Sequence, residues 1–287
     1  NNAGRTLGDV AQDLGLYEDL AFMVVNASNK IEVVDRTTFE SVATLDIQLS
    51  NPRYISFANG KAYVTNWGDG TDPDDDYVAV FDADSFEFLK EISVAEGPEK
   101  IISEGNQIFV AHTGGYSFNN IISVIATEDD EVTEELTVGV VPNSLLVSNG
   151  NLLVLSSGLP FYSEEESAGS FSRIDLSTME VATLDFPEAT NHPSYLTEDN
   201  GQFYFVMGKE VYSFSPSAAP STTAPILSLT EESGSLYSFD VENNQIFVGF
   251  TSPDYTGNGT LKVYNVGSTE PIETFTTGIG PNGIFFN

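Results

Sequence analysis

Hydrophobic and polar residues alternate in short runs along most of the chain, which is the pattern of β-strands that bury one face. Residues 51–94 show this most clearly, because they hold four such runs in succession: RYISFA, AYVTNW, YVAVFD and FEFLKEISV. Gly, Asp, Pro and Ser separate the runs, and the Asn59-Gly60 pair after the first run favours a tight hairpin turn. The stretch therefore predicts a four-stranded antiparallel meander, which cannot bury both of its faces alone.

The same four-strand pattern recurs along the chain. A proline opens five of the copies: Pro52, Pro98, Pro142, Pro193 and Pro281. The successive spacings are 46, 44, 51 and 88 residues, and the last of these is about two periods. The skipped copy begins near Leu236 and lacks the proline. A period of 40–50 residues with four strands in each repeat is typical of the blades of a β-propeller.

The repeat pattern predicts an all-β, single-domain β-propeller of four-stranded antiparallel blades. The predicted units are 6–47, 51–94, 97–138, 141–186, 192–230 and 236–277, with a lone closing strand at 280–287. The favoured scheme is a seven-bladed ring in which the partners of the closing strand precede Asn1. The alternative is unusual closure with six blades. In the favoured scheme the closing strand is innermost, beside the unit that begins near Thr6.

Composition narrows the classes of function. Ten Lys and Arg against 43 Asp and Glu give a net charge of −33, which argues against nucleic acid as a partner. There is no cysteine for disulfides or thiol chemistry, and no apolar run approaches the roughly 18 residues that span a membrane. Because the sequence opens at Asn1 without Met, we interpret it as a mature or trimmed product.

Three segments resemble a known family. LGDVAQDL, NASNKIEVVD and PRYISFANGKAYVTNWGDG are similar to the YVTN-repeat (YncE-like) propellers of surface-layer proteins and surface lipoproteins, and YVTN itself occupies Tyr63–Asn66. Within that group the chain looks most like the BtuG-type proteins, which capture cobalamin for an outer-membrane transporter. The resemblance implies the extracellular face of the outer membrane and a lipid anchor upstream of Asn1. A periplasmic or secreted protein is the alternative.

The loops between the second and third strands of the blades are unequal in length, and in a propeller these loops share a face with the linkers between blades. Four of them are long: 66–77, 112–120, 156–170 and 251–260. They carry most of the candidate ligand-binding side chains, namely Trp67, Tyr77, His112, Tyr116, Phe118, Phe161, Tyr162 and Tyr255. Opposite-face turns such as Asn59-Gly60 are short and generic. Aromatic loops on one face of a rigid scaffold predict a recognition surface, although each ring could instead pack its loop onto a blade.

The linker residues beside the opening prolines should surround the central channel on the same face. They are Arg53, Lys100, Asn143, His192 and Asn282. Arg53 and Lys100 are two of only ten basic residues, so we predict that they contribute to ligand binding. The alternative is that each simply pairs with a neighbouring acid.

Clustered carboxylates in loop 66–77 suggest a hard cation such as Ca²⁺. The candidate metal ligands are Asp69, Asp72, Asp74 and Asp76, with Asp75 between the last two. Tyr77 stands where an EF-hand loop needs Gly, and Ala83 where it needs the bidentate Glu, so the loop is not an EF-hand. A solvated acidic loop is the favoured interpretation and a weak Ca²⁺ site the second. His112 and His192 could bind a metal together with carboxylates, but hydrogen-bonding roles are favoured.

Three hypotheses about function follow. The leading one is a non-enzymatic protein that binds a small molecule, with cobalamin or another ligand of tetrapyrrole size implied by the resemblance and no required cofactor. The second is a protein-interaction scaffold in a surface complex, using the same loops. The third is a hydrolase or lactonase with a metal in its channel, against which stand the scarcity of His and the lack of an acid at most channel-rim positions.

Overall fold

The computed structural model describes residues 6–286, and it confirms the propeller. Twenty-four strands form six antiparallel sheets of four strands each, arranged as blades of a ring. Every sheet is a meander in which strands adjacent in sequence are paired. The one helix in the described residues is a single 3₁₀ turn, Asn26–Ser28. No helix in this part of the chain is long and apolar enough to cross a membrane.

The strands are numbered in chain order, four to a blade and from the channel outward. The first and second blades contain β1 Ala11–Tyr17, β2 Leu20–Val25, β3 Lys30–Asp35, β4 Ser41–Leu45, β5 Pro52–Ala58, β6 Lys61–Asn66, β7 Tyr77–Asp82 and β8 Phe88–Ser93. The third and fourth contain β9 Pro98–Glu104, β10 Gln107–His112, β11 Ile121–Ala126, β12 Glu131–Thr137, β13 Pro142–Ser148, β14 Asn151–Ser156, β15 Ser170–Asp175 and β16 Val181–Asp185. The fifth and sixth contain β17 Pro193–Asp199, β18 Gln202–Met207, β19 Glu210–Phe214, β20 Leu227–Ser228, β21 Leu236–Glu242, β22 Gln245–Phe250, β23 Thr260–Asn265 and β24 Glu273–Thr276.

The hydrophobic core is divided into layers between neighbouring blades. The second and third strands of most blades are buried on both faces, which is why they are nearly continuous apolar runs such as Leu152–Leu155. Between the first two blades, Phe22 and Val24 pack with Val64 and Phe81. Similar clusters fill each of the following interfaces up to the one between the fifth and sixth blades. Each blade thus covers a face that its neighbour could not bury alone.

The junction between the sixth and first blades is built differently. Within residues 6–286, none of the five apolar clusters joins these two blades. The C-terminal segment 280–286 lies there instead. The ring centroids of Phe286 and Phe247 are 5.1 Å apart, and Asn282 Nδ2 donates to the carbonyls of Ala11 and Gln12 at 2.8 and 3.0 Å. The segment lies beside the first unit, but it makes this contact through side chains and forms no β-ladder within residues 280–286. The described chain therefore closes as a ring of six four-stranded blades, not as the favoured seven-bladed ring. Asn287 lies outside the described residues.

One of the short turns on the opposite face is more specialised than its length suggests. Asn59 and Gly60 have φ of 51° and 75°, as a type I′ hairpin turn requires. The Asn59 amide also donates to Thr127 Oγ1 at 2.7 Å and to Asn106 Oδ1 at 3.3 Å in the next blade. The prediction that this turn is generic was therefore wrong, because its side chain ties two blades together.

Candidate functional site

The inner strands of all six blades surround an axial cavity of about 800 Å³. It is open to solvent, and both apolar and polar side chains form its wall. All five predicted rim residues line it, together with Trp67. Other lining residues are Gln12, Tyr54, Glu99, Thr113, Ser144, Leu145, Ser194, Tyr195, Leu196, Thr197, Gly208, Leu236, Tyr237, Phe239 and Asp240. A concave site of this size can enclose a large organic ligand.

Arg53 and Trp67 form one side of the cavity. The Arg53 guanidinium lies over the indole ring, 4.2 Å from its centroid, and makes a two-pronged ion pair with Glu99 at 2.8 and 2.9 Å. Trp67 Nε1 donates to the carbonyl of Pro98 at 3.1 Å. Burial works to lower the pKa of Arg53, but the hydrogen bonds and charge of Glu99 raise it on balance. Arg53 therefore pairs with a neighbouring acid, which was the alternative to ligand binding, and Glu99 largely neutralises the charge of the guanidinium.

Lys100 is placed differently. Its Nζ lies 3.8 Å from the centroid of the Tyr54 ring, and among residues 6–286 no acceptor is within hydrogen-bonding distance of it. Asp13 nearby is half-buried; desolvation raises the pKa of its carboxyl, while the charge of Lys100 works in the opposite direction. Asp13 Oδ2 already accepts the amide of Ile55 at 3.0 Å. The N–H groups of Lys100 are therefore free to bind an anionic or carbonyl group in the cavity.

The remaining rim residues also connect structural elements. Asn143 Nδ2 donates to the carbonyl of Pro193 in the next blade at 2.9 Å, just as Asn282 bridges to the first blade. His192 joins a linker to loop 156–170: Nδ1 is 2.7 Å from the carbonyl of Ser157 and Nε2 is 3.0 Å from Glu166 Oε1. These contacts hold the wall of the cavity in a fixed shape.

Sequence reasoning missed three tyrosines on the wall, at positions 54, 195 and 237. Tyr195 has a φ of 59°, and the pairing of β17 with β18 shifts register between Ser194 and Thr197. Such a bulge re-aims a side chain, so simple alternation along the strand could not place it. Burial raises the pKa of Tyr195 to about 12, so it stays a neutral hydrogen-bonding group. The signal available in the sequence was the shared position of Tyr54 and Tyr195, each two residues after an opening proline.

The loop aromatics separate into exposed and buried groups. Tyr116, Phe161 and Tyr162 are 81%, 80% and 73% exposed, and Phe118 and Tyr255 are also exposed. The rings of Tyr116 and Trp67 pack edge to face, with their centroids 6.3 Å apart. Tyr255 Oη is 2.5 Å from Ser235 Oγ.

Two of the predicted ligand-binding residues do not reach the recognition face. His112 is completely buried, with Nε2 2.9 Å from Ser123 Oγ, and burial lowers its pKa to about 4. A buried, neutral side chain of this kind cannot contact a ligand on the surface. Tyr77 is half-buried and its hydroxyl donates to the carbonyl of Gln48 at 3.3 Å, so it packs the loop against a linker.

The acidic loop uses much of its charge to cap its own turns. Asp69 Oδ1 accepts Thr71 N and Oγ1, and Asp72 Oδ1 accepts Asp74 N. In residues 6–286 no three Asp, Glu or His side chains converge into a ready-made metal site. Asp76 differs because it is buried: burial, followed by the charges of Asp75, Glu96 and Asp72, raises its pKa to about 7.

The fold and the cavity define the protein as a β-propeller with an axial site. It belongs to the family described as a domain of unknown function, DUF5074, whose profile matches residues 1–284. A search of curated protein sequences finds no match.

Several solved structures share the fold. Hydrazine synthase of Kuenenia stuttgartiensis superposes with a TM-score of 0.73 at 16% identity, over 98% of this chain and 91% of that one. Virginiamycin B lyase of Staphylococcus aureus gives 0.69 at 13% identity, over 96% and 88%. BamB of Moraxella catarrhalis gives 0.61 at 13% identity, over 97% and 78%. At these identities the likeness extends to the propeller fold alone.

Proposed function

We propose that this protein is a non-enzymatic binding protein that captures a small-molecule nutrient in the axial cavity. The observation that carries the proposal is the convergence on one cavity of about 800 Å³ of aromatic rings and a lysine without a hydrogen-bond partner in the described chain. The wall is rigid, because Arg53, Asn143 and Asn282 are each bonded to a neighbouring blade. A preformed site loses little conformational entropy when a ligand binds.

The ligand class that we propose is cobalamin or another cofactor of tetrapyrrole size. Support comes from the YVTN-type sequence resemblance, the size of the cavity and the mixture of tyrosines with polar anchors on its wall. Trp67, Tyr54 and Tyr195 would contact the faces of a broad ligand, and Lys100 would bind an anionic or carbonyl group at its edge. With this ligand, capture at the cell surface for an outer-membrane transporter is the proposed role.

A protein-interaction scaffold is the second candidate, and the exposed loop aromatics favour it. Phe161 and Tyr162 form an edge-to-face pair with ring centroids 5.4 Å apart, and both project into solvent. Aromatic side chains of this kind are typical centres of protein interfaces. The two candidates are compatible if the loops contact a transporter while the cavity holds the ligand.

Calorimetric titration of the purified protein with cobalamin and with haem tests the proposal. We expect one of them to bind with one molecule per chain, and Lys100→Met to weaken that binding about tenfold by removing the free ammonium group. Lys90→Met is the matched control, since Lys90 lies on outer strand β8 and donates to the carbonyl of Asp129 at 3.0 Å. Absence of binding by both ligands would overturn the proposed ligand class, and equal loss in both variants would place the site elsewhere.

A further inference from the structure

A buried carboxylate oxygen stands without a partner beside the mouth of the axial cavity. Asp76 is only 4% exposed, and its Oδ1 has no hydrogen-bond partner in the described chain. The backbone N–H of nearby Gly97 works to lower the pKa of the same carboxylate, against the larger effect of burial. Burial of an unpaired carboxylate oxygen is costly, so its presence in a folded protein calls for a ligand.

The carboxylate lies at a second, much smaller cavity. This cavity measures about 10 Å³, close to the space that one water molecule occupies, and Asp72 and Glu96 also line it. The rest of its wall consists of Trp67, Tyr116 and the glycines at 70, 97, 114 and 115. No lysine or arginine contributes to it. A site that faces three acidic side chains and glycine backbone is suited to a small cation.

Comparison of the blades shows that the fold itself does not require this carboxylate. In the second blade the carbonyl of Asp76 accepts the amide that follows the outer strand, Val94 N, at 3.2 Å. Asn120, Gly169 and Gly259 make the same backbone bond in the third, fourth and sixth blades, at 2.9 to 3.0 Å. Because Asn or Gly serves at the equivalent positions, the carboxylate of Asp76 is additional to the strand connection.

We propose that Asp76, with Asp72 and Glu96, forms a divalent cation site of the Ca²⁺ class between loops 66–77 and 112–120. In the described chain no three acidic side chains lie at coordinating distance of one another, so Asp76 supplies the direct carboxylate ligand and backbone carbonyls and water complete the shell. Asp72 and Glu96 contribute negative charge and hold ligand water molecules at the wall of the cavity. Both are ordinary ligands of Ca²⁺, whose coordination geometry is flexible. This set differs from the one expected from sequence, because Asp69 and Asp74 are replaced by Glu96 from another loop.

Such a cation would join the two loops that frame one side of the axial cavity. Trp67 borders both cavities, so a bound ion would fix the ring that contributes to the larger site. Tyr116, which meets Trp67 edge to face, lies on the second loop. Cation binding does not depend on the identity of the axial ligand and can be measured without it.

Terbium luminescence provides the direct test. Tb³⁺ replaces Ca²⁺ at oxygen sites, and an ion at this site would be sensitised by Trp67 and Tyr116, which border it. We expect Trp-excited Tb³⁺ emission that Ca²⁺ reverses, and at least a tenfold loss of affinity in Asp76→Asn, the residue found at the equivalent position 120. Asp254→Asn is the matched control: this loop aspartate already caps Ser252 Oγ and Thr256 N, so the signal should persist.

A second readout separates a specific site from weak surface binding. Millimolar Ca²⁺ should raise the melting temperature of the wild type and of Asp254→Asn, but not that of Asp76→Asn, because a ligand that binds only the folded state stabilises it. Emission that is absent in the wild type, or unchanged by Asp76→Asn, would overturn the proposal. In that case a buried water or a proton satisfies Asp76 Oδ1.

Discussion

Trp67 combines two roles that usually belong to different residues. Its indole N–H is bonded to Pro98 O and its ring lies beneath Arg53, so it helps to join the second and third blades. The same ring borders the axial cavity. The sequence correctly predicted that Trp67 follows the second strand of its blade and lies at the central channel. It could not show that a neighbouring blade holds the ring.

Substitution of Trp67 should therefore affect both binding and stability. For Trp67→Ala we expect ligand affinity to fall about 30-fold, or about 2 kcal/mol, together with a lower melting temperature. Trp67→Phe keeps an aromatic ring beneath Arg53 and should lose less of both. Calorimetry and melting curves on the two variants check this. A large drop in melting temperature with unchanged affinity would mean that Trp67 is structural only.

His112 gives the protein a defined response to acid. Its pKa is about 4 in the folded state and about 6.5 in an unfolded chain, so the unfolded state binds more protons between these values. The free energy of unfolding should fall as the pH drops from about 6.5 to about 4, by at most about 3 kcal/mol from this group. Other groups add a background that is common to all variants.

His112→Asn isolates this contribution, since Asn66 occupies the equivalent end of β6 in the second blade. We expect the difference in unfolding free energy between pH 7 and pH 4.5, measured by urea denaturation, to be smaller in the variant. Equal differences in both proteins would show that His112 is not protonated on unfolding in this range.

At the scale of the element, the YVTN segment explains why the sequence specified the fold better than the ligand. Tyr63 Oη donates to Asp130 at 2.6 Å, Thr65 Oγ1 donates to the carbonyl of Glu99 at 2.9 Å, and Asn66 Oδ1 accepts the amide of Ser50 at 3.0 Å. Val64 is buried in the core between the first two blades. All four side chains thus make contacts within the blade or with its neighbours, so the motif specifies the fold and carries no information about the ligand.

Features that depend on contacts between blades could not be predicted from local pattern. Alternation and the spaced prolines locate the strands, because both depend on neighbours in sequence. The burial of His112, the cross-blade bonds of Asn59 and the bulge that re-aims Tyr195 all arise when distant segments meet. The rim positions were nevertheless predictable, since the repeat places each beside a proline at the start of an inner strand.

Loop 156–170 offers a test of the face assignment. Its tip is closed by the bond from Ser167 N to Leu159 O at 3.1 Å, so residues 160–166 can be replaced by Gly-Gly without stretching the flanks. The replacement removes Phe161 and Tyr162 and frees His192 from Glu166. We expect ligand affinity to fall at least about fivefold while the melting temperature changes little.

The control for this loop lies on the opposite face. Asn149→Asp preserves a turn with φ of 50° and 72° at positions 149 and 150, and among residues 6–286 the Asn149 side-chain amide bonds only to the adjacent Ser148. Affinity should be unchanged in this variant. Equal loss of affinity in both proteins would mean that the ligand does not bind at the loop face.

At the scale of the whole molecule, ring closure depends on the C-terminal segment. Residues 280–286 occupy the junction where the described chain has no apolar cluster, and Asn282 is part of the cavity wall. Deletion of residues 280–287 should lower the melting temperature and increase proteolysis of the last blade, because it removes the contact to Phe247 and the bridge to β1. Asn282→Ala, which keeps the Phe286 contact, should have the smaller effect. Equal stability of the deletion and the wild type would contradict this account of closure.

We propose that the axial cavity holds a large cofactor, and Trp67, the only tryptophan in the chain, lines that cavity. Titration with cobalamin, and separately with haem, while Trp67 emission is recorded tests this claim most directly. We predict saturable quenching by one of the two ligands at one equivalent per chain, with no competition by excess Ca²⁺. If neither ligand quenches the emission or shifts the melting temperature, the claim is contradicted and the scaffold role takes its place.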